Sequence, residues 1–319
     1  FNKPNVGMQK IITSILNRKI YINPKDLSKP AISLLKFEPF IKELYGKNYL
    51  GEVPQSLERL ISNLSELPLL LKLMSVCPLA DLELEIVLSD VRSAILSSIS
   101  EISSSPEILR FQSALALQCF TNEYIFNQTE KEAQLLCALE IGVEKSFSNG
   151  KQPTPESILC LASYKALNSY KWSDLLTLTS SIEEVVERQI IEPKRELQLK
   201  SGILVLQDIS NKVSSKVRQQ YEKSPYPRWI DVGLTLIPKS IHKVTEELKM
   251  RLLDKTINDV LAPNILIAGC GTGQQSISTA ARFKNAKVLA VDLSLSSLAY
   301  GKRKTEELGF ENIDYMQAD

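Results

Sequence analysis

Three glycines and two acids carry the chemistry that can be read in this chain. Gly269-Cys270-Gly271-Thr272-Gly273-Gln274 follows the apolar run 265–268; Asp292 closes a second apolar run at 288–291, and Asp319 stands just past a third expected strand at 313–317. A short apolar run ending in glycines predicts a buried strand. The glycines let the backbone turn sharply, approach a ligand closely and seat the following helix against the sheet. Asp292, nineteen residues after Gly273, can accept hydrogen bonds from two ribose hydroxyls. Loop, acid and second acid fall at the ends of three successive strands, where open α/β sheets bind their ligands. The constellation reads as a nucleoside-cofactor site.

At these residues the chain resembles class I S-adenosylmethionine-dependent methyltransferases. The resemblance implies that the loop Gly269, Cys270, Gly271, Thr272 and Gly273 curls round the methionyl end of S-adenosyl-L-methionine. It further implies that Asp292, with Leu293 beside it, holds the ribose and that Asp319 faces the adenine amino group. A helix starting near Gln274 would offer its N-terminal amides to the cofactor carboxylate. Nicotinamide-dinucleotide folds usually carry G-x-G-x-x-G, whose third glycine would fall at Gln274, so the spacing favours the methyl donor. The family often has an acid two residues before the first glycine; this chain has Ile267 there.

No catalytic base can be named, and the methyl acceptor, a protein or a small molecule, stays open. Two other readings stand beside the methyltransferase: a helical protein-interaction module whose cofactor fold is a non-catalytic scaffold, and an NAD-binding oxidoreductase. Cys270 reads as a small buried thiol rather than a nucleophile. The five cysteines are widely spaced and His242 is the only histidine, so neither a zinc site nor a disulfide framework is expected.

The elements that must position this site predict an α + α/β chain: a helical domain over 1–215, a Pro/aromatic linker over 216–240, and the N-terminal half of a methyltransferase domain over 241–319. The second part is expected to be a partial Rossmann-like sheet of three strands in the order 3-2-1, with a helix over 240–259 leading into it. Residues up to about 220 read as almost wholly helical. Ser105-Pro106-Glu107 and Thr154-Pro155-Glu156 are cap-proline starts, and Thr129-Glu130-Lys131-Glu132 is a capping box. Ile86, Leu88, Val91, Ile95 and Leu96, like Leu135, Leu136, Leu139 and Val143, recur at helical spacing and are candidate core.

Residues 221–229, containing Tyr221, Pro225, Tyr226, Pro227 and Trp229, are similar to a segment before the cofactor-binding domain in a group of bacterial methyltransferases often attached to tetratricopeptide arrays. Residues 115–124 are similar to the helical region of that group. No 34-residue repeat is found in the chain itself. The aromatic-proline block is either a packing strap between domains or a lid over the cofactor pocket.

Charge is uneven although the net is only +1. Residues 1–50 hold nine Lys or Arg against three acids, residues 51–210 thirteen against twenty-two, and the remainder sixteen against twelve. An acidic middle argues against a nucleic-acid track. No apolar stretch is long enough to span a membrane, and no signal-peptide core is found at the start. A cytoplasmic location is expected, with a possible protein partner on the helical domain. The start at Phe1 and the stop just after the third strand suggest a fragment, with the family's remaining four strands beyond residue 319.

Overall fold

Proline-headed and Ser/Thr-capped segments build the first part of the molecule. The computed structural model describes residues 4–18, 20, 22–46, 57–207, 209, 211–223 and 225–319. Its contacts divide into two units, Phe1–Arg18 with Ile22–Pro193, and Lys19–Tyr21 with Lys194–Asp319.

The first unit is helical: α1 (Val6–Leu16), α2 (Pro24–Leu35), α3 (Pro39–Gly46), α4 (Leu57–Ser65), α5 (Pro68–Val76), α6 (Leu82–Ser97), α7 (Pro106–Thr121), α8 (Glu130–Ser148), α9 (Pro155–Ala162) and α10 (Glu183–Val186). A π turn, Glu187–Ile191, continues α10, and α11 (Glu192–Lys200) follows it and belongs from Lys194 on to the second unit. Ser105 caps α7 by accepting from the Ile108 amide at 3.3 Å. Thr129 and Glu132 form the reciprocal capping box at the head of α8. Thr154 precedes α9 without accepting from its backbone.

Helix α7 is buried on most of its surface from Phe111 to Thr121 and packs against α4, α5 and α9, with Phe111, Leu115, Ala116, Leu117 and Cys119 buried beside the polar Gln112, Gln118 and Thr121. In α6, Leu88, Val91, Ile95 and Leu96 are buried as their spacing predicts, but Ile86 is 50% exposed. Two residues of helix turn it some 200° from Leu88, onto the solvent side. Val143 is buried in α8, while Leu135, Leu136 and Leu139 are half-buried. Arg92 is buried with Glu132 3.7 Å away, donates to the Asn127 carbonyl at 2.7 Å and lies over the Tyr164 ring.

The second unit holds β1 (Leu204–Val205), α12 (Lys212–Lys223), α13 (Ile241–Glu247), β2 (Asn264–Ala268), α14 (Gln274–Arg282), β3 (Lys287–Asp292), α15 (Leu295–Glu307) and β4 (Ile313–Gln317). Its sheet is parallel throughout, in the order β1-β4-β3-β2. The three motif strands keep the expected order, but a fourth, β1, adds to the outer edge of β4. Gly202 follows the end of α11, and the apolar run 203–206 then extends to pair Leu204 with Met316 and Val205 with Gln317. The helical reading up to about 220 is corrected here, since a run this short has no strand signal until its distant partner is known.

The single helix expected over 240–259 is also broken. Lys249 takes a positive φ of 52° and the Met250 amide returns to the Thr245 carbonyl, ending α13; a 3₁₀ turn, Lys255–Asp259, follows separately. Part of the expected linker is helical, because α12 occupies 212–223. Ser224 of the aromatic-proline block lies outside the described residues. Among the described residues no helix is long and apolar enough to cross a membrane.

Candidate functional site

The turn from β2 into α14 needs its glycines for two different reasons. Gly273 has φ 81°, and a Cβ placed on it would lie 2.8 Å from the Gly301 Cα and 2.8 Å from the Tyr315 hydroxyl. Only a residue without a side chain lets the start of α14 sit this close to α15 and β4. Gly271 has φ 54°, and a Cβ there would meet nothing within 4 Å. Its amide donates to Asp292 Oδ2 at 2.8 Å, so β3 fixes the loop directly.

Asp292 Oδ1 accepts the Ser294 amide at 2.9 Å. Ser294, not Asp292, caps α15, with its Oγ accepting the Ser297 amide at 3.1 Å. Each carboxylate oxygen of Asp292 therefore receives one donor and keeps a lone pair for another. Asp319 is exposed, and its Oδ1 accepts the Ser214 hydroxyl at 2.9 Å.

These groups border one cleft of about 690 Å³, within the usual size of a small-ligand site. Gly269, Gly271, Asp292, Leu293 and Asp319 lie on its wall. Cys270, Thr272, Gly273 and Gln274 stand behind it, in the loop and at the head of α14. Leu266 and Ala268 of β2, Leu289 and Val291 of β3 and Met316 of β4 form the floor. Alternation along the strands explains this floor. The same strands send Ile267, Ala290 and Tyr315 to the other face, where they pack with Leu298 and Ala299 of α15.

Helix α12 supplies a wall that the sequence reading does not anticipate. Val217 and Tyr221, one helical turn apart, line the cleft together with Tyr226. Ser214 ties the helix to Asp319 near its start. Near its end Glu222 accepts the Leu295 amide at 2.6 Å, takes the Ser296 hydroxyl at 2.8 Å and pairs with Lys200. Burial alone would raise the Glu222 carboxyl, but the Lys200 and Ser296 hydrogen bonds, the Lys200 charge and the Leu295 amide outweigh it and hold it below its ordinary value. The i, i+4 spacing of Val217 and Tyr221 is the signal that could have marked this face.

The aromatic-proline block divides its labour. Tyr226 is 55% exposed and faces the cleft, whereas Trp229 is buried against Val232, Ile277 and Tyr300. The Trp229 indole N–H donates to the Thr272 carbonyl at 3.0 Å, and the Thr272 hydroxyl donates to the Pro227 carbonyl at 2.9 Å. Trp229 thus straps the glycine loop from within the same unit, while Tyr226 of the same block stands on the cleft wall.

Cys270 is buried, and burial first, then the neighbouring Asp292 charge, push its thiol up to about 12. A neutral thiol of this kind is a poor nucleophile. His242 is exposed in the first turn of α13, away from the cleft wall.

Residues 265–319 match the family model described as a methyltransferase domain. No curated protein and no solved structure matches the chain.

Proposed function

Starting from a methyltransferase-domain match that spans the glycine loop, Asp292 and Asp319, we propose that the chain is an S-adenosyl-L-methionine-dependent methyltransferase and that this cleft holds the cofactor. One observation carries the reading: Gly269, Gly271, Asp292, Leu293 and Asp319, drawn from the ends of three strands, border the same cleft. The donor set suits the group. The open space at Gly269 and Gly271 admits a ligand against bare backbone. Asp292 retains acceptor capacity for vicinal hydroxyls. Asp319 offers an anionic acceptor at the far side of the cleft.

When bound, S-adenosylmethionine supplies an electrophilic methyl on a sulfonium. Asp292 would orient the ribose, Asp319 would accept from the adenine, and the backbone at Gly269 and Gly271 would pack against the methionyl end. Val217, Tyr221 and Tyr226 exclude water from one side, so the protein contributes chiefly by positioning and desolvation. The finer placement, in the bacterial group whose cofactor domain follows a helical region, rests on residues 115–124 and 221–229. With it go a cytoplasmic location and a partner-binding role for the helical unit.

The test is turnover. The protein is incubated with methyl-tritiated S-adenosylmethionine and fractionated cell extract, and both S-adenosylhomocysteine release and tritium in protein or small-molecule fractions are followed. Extract-dependent release that is lost in Asp292→Ala supports the enzyme. Cofactor binding without release in any fraction would favour a scaffold that has the fold but not the activity.

A further inference from the structure

We propose that Thr272 and Trp229 are positioning residues of the cofactor site, acting through the glycine loop without touching the ligand themselves. The inference rests on the cofactor reading above and goes beyond it by assigning a role to residues off the cleft wall.

The geometry is reciprocal. Thr272 gives its hydroxyl proton to the Pro227 carbonyl and receives the Trp229 indole N–H on its own carbonyl, so two hydrogen bonds of 2.9 and 3.0 Å join the strap and the loop. Thr272 is 2% exposed and Trp229 7% exposed, so water offers neither bond an easy replacement. The strap is itself anchored. The Tyr300 hydroxyl of α15 donates to the Trp229 carbonyl at 2.5 Å, the Tyr300 ring meets the indole edge-on, and the Lys304 ammonium lies 5.1 Å from the indole centroid.

The clamp bears on the residue that matters. Gly271 precedes Thr272 and has no side chain to hold it in its positive-φ conformation. Its amide is fixed from β3 by Asp292 on one side, and its successor is fixed by the strap on the other. A loop that must present bare backbone to a ligand is held in place by what surrounds it. Tyr226, one residue before Pro227, lines the same cleft. The strap therefore sets two parts of the wall at once.

The test uses conservative pairs in the whole chain. Thr272→Val keeps the shape and loses the hydroxyl; Thr272→Ser keeps it. Trp229→Phe keeps an aromatic ring and loses the donor. We expect Thr272→Val and Trp229→Phe to weaken S-adenosylhomocysteine binding by about tenfold, measured well below the melting temperature, and Thr272→Ser to restore it. Should Trp229→Phe fail to fold, the Thr272→Val and Thr272→Ser pair reads the same clamp from the loop side.

A second measurement needs no substitution in the clamp. In protein carrying 5-fluorotryptophan, the Trp229 fluorine resonance should shift on adding S-adenosylhomocysteine, while that of Trp172, the chain's other tryptophan, stays in place. Wild-type protein that binds the ligand with no shift at Trp229 and no loss in Thr272→Val would overturn the clamp and leave the cofactor reading intact. Wild-type protein that binds no S-adenosyl compound would overturn both.

Discussion

The Asp292 carboxylate accepts the amide of Gly271 at 2.8 Å, so the acid expected to hold a ribose also holds the loop that borders the cleft. Removing it should affect both partners together. Asp292→Ala is expected to weaken S-adenosylhomocysteine binding by about 1–3 kcal/mol, the range for a lost charge-assisted hydrogen bond. Titration calorimetry reads this directly, and an unchanged affinity would take Asp292 out of the site.

Gly271 and Gly273 should fail in different ways. Gly273→Ala would push a methyl into Gly301 and the Tyr315 hydroxyl at a positive φ, so it should lower the melting temperature and cost about 1–3 kcal/mol of stability. Gly271→Val meets no protein atom at Cβ and points its bulk toward the cleft. Its main effect should be on cofactor binding, with a smaller loss of stability from backbone strain. Equal effects of the two substitutions on melting and binding would contradict this division.

The first two motif strands are legible because each is a short apolar run stopped by a glycine or an acid, the third because Ile313, Tyr315 and Gln317 alternate before Asp319, and paired residues lie within thirty residues of one another. Asp292, Asp319, Gly269 and Gly271 reach the cleft for the same reason. The burial expected of β2 is not found, since Leu266 on its cleft face is 64% exposed. Strand β1 is not legible, since Leu204 and Val205 gain their extended form only by pairing with Met316 and Gln317, more than a hundred residues away. The wall from α12 is hidden differently: its composition is polar, and Val217 and Tyr221 look like ordinary helix-surface residues until Ser214 and Glu222 are seen to fasten them. Thr272 and Trp229 lie forty-three residues apart in the sequence, and only their hydrogen bond joins them.

Acid should release α12. Glu222 has a folded pKa below its unfolded value, so its stabilisation is fully present above the unfolded value and is lost as pH falls through the folded one. Amide protection along α12 should drop over that interval, at a pH below the ordinary carboxylate value. Glu222→Gln should show low protection already at neutral pH and no further acid step. A helix whose protection is independent of both pH and this substitution would show that Glu222 does not fasten it.

Thiol reactivity should separate Cys270 from Cys137. Cys137 is exposed, whereas Cys270 is buried with its thiol held neutral up to about pH 12. Under limiting iodoacetamide, mass spectrometry should find Cys137 alkylated first and Cys270 modified only on unfolding. Rapid labelling of Cys270 in the folded protein would reopen a nucleophilic role for it.

The class of ligand is the centre of the account, and calorimetric titration of the same protein with S-adenosylmethionine, S-adenosylhomocysteine and NAD tests it most directly. The expected result is saturable one-site binding of both S-adenosyl compounds, weakened by about 1–3 kcal/mol in Asp292→Ala, with no heat from NAD. Binding of NAD in preference to S-adenosylmethionine, or no binding of either S-adenosyl compound by folded protein, would contradict it.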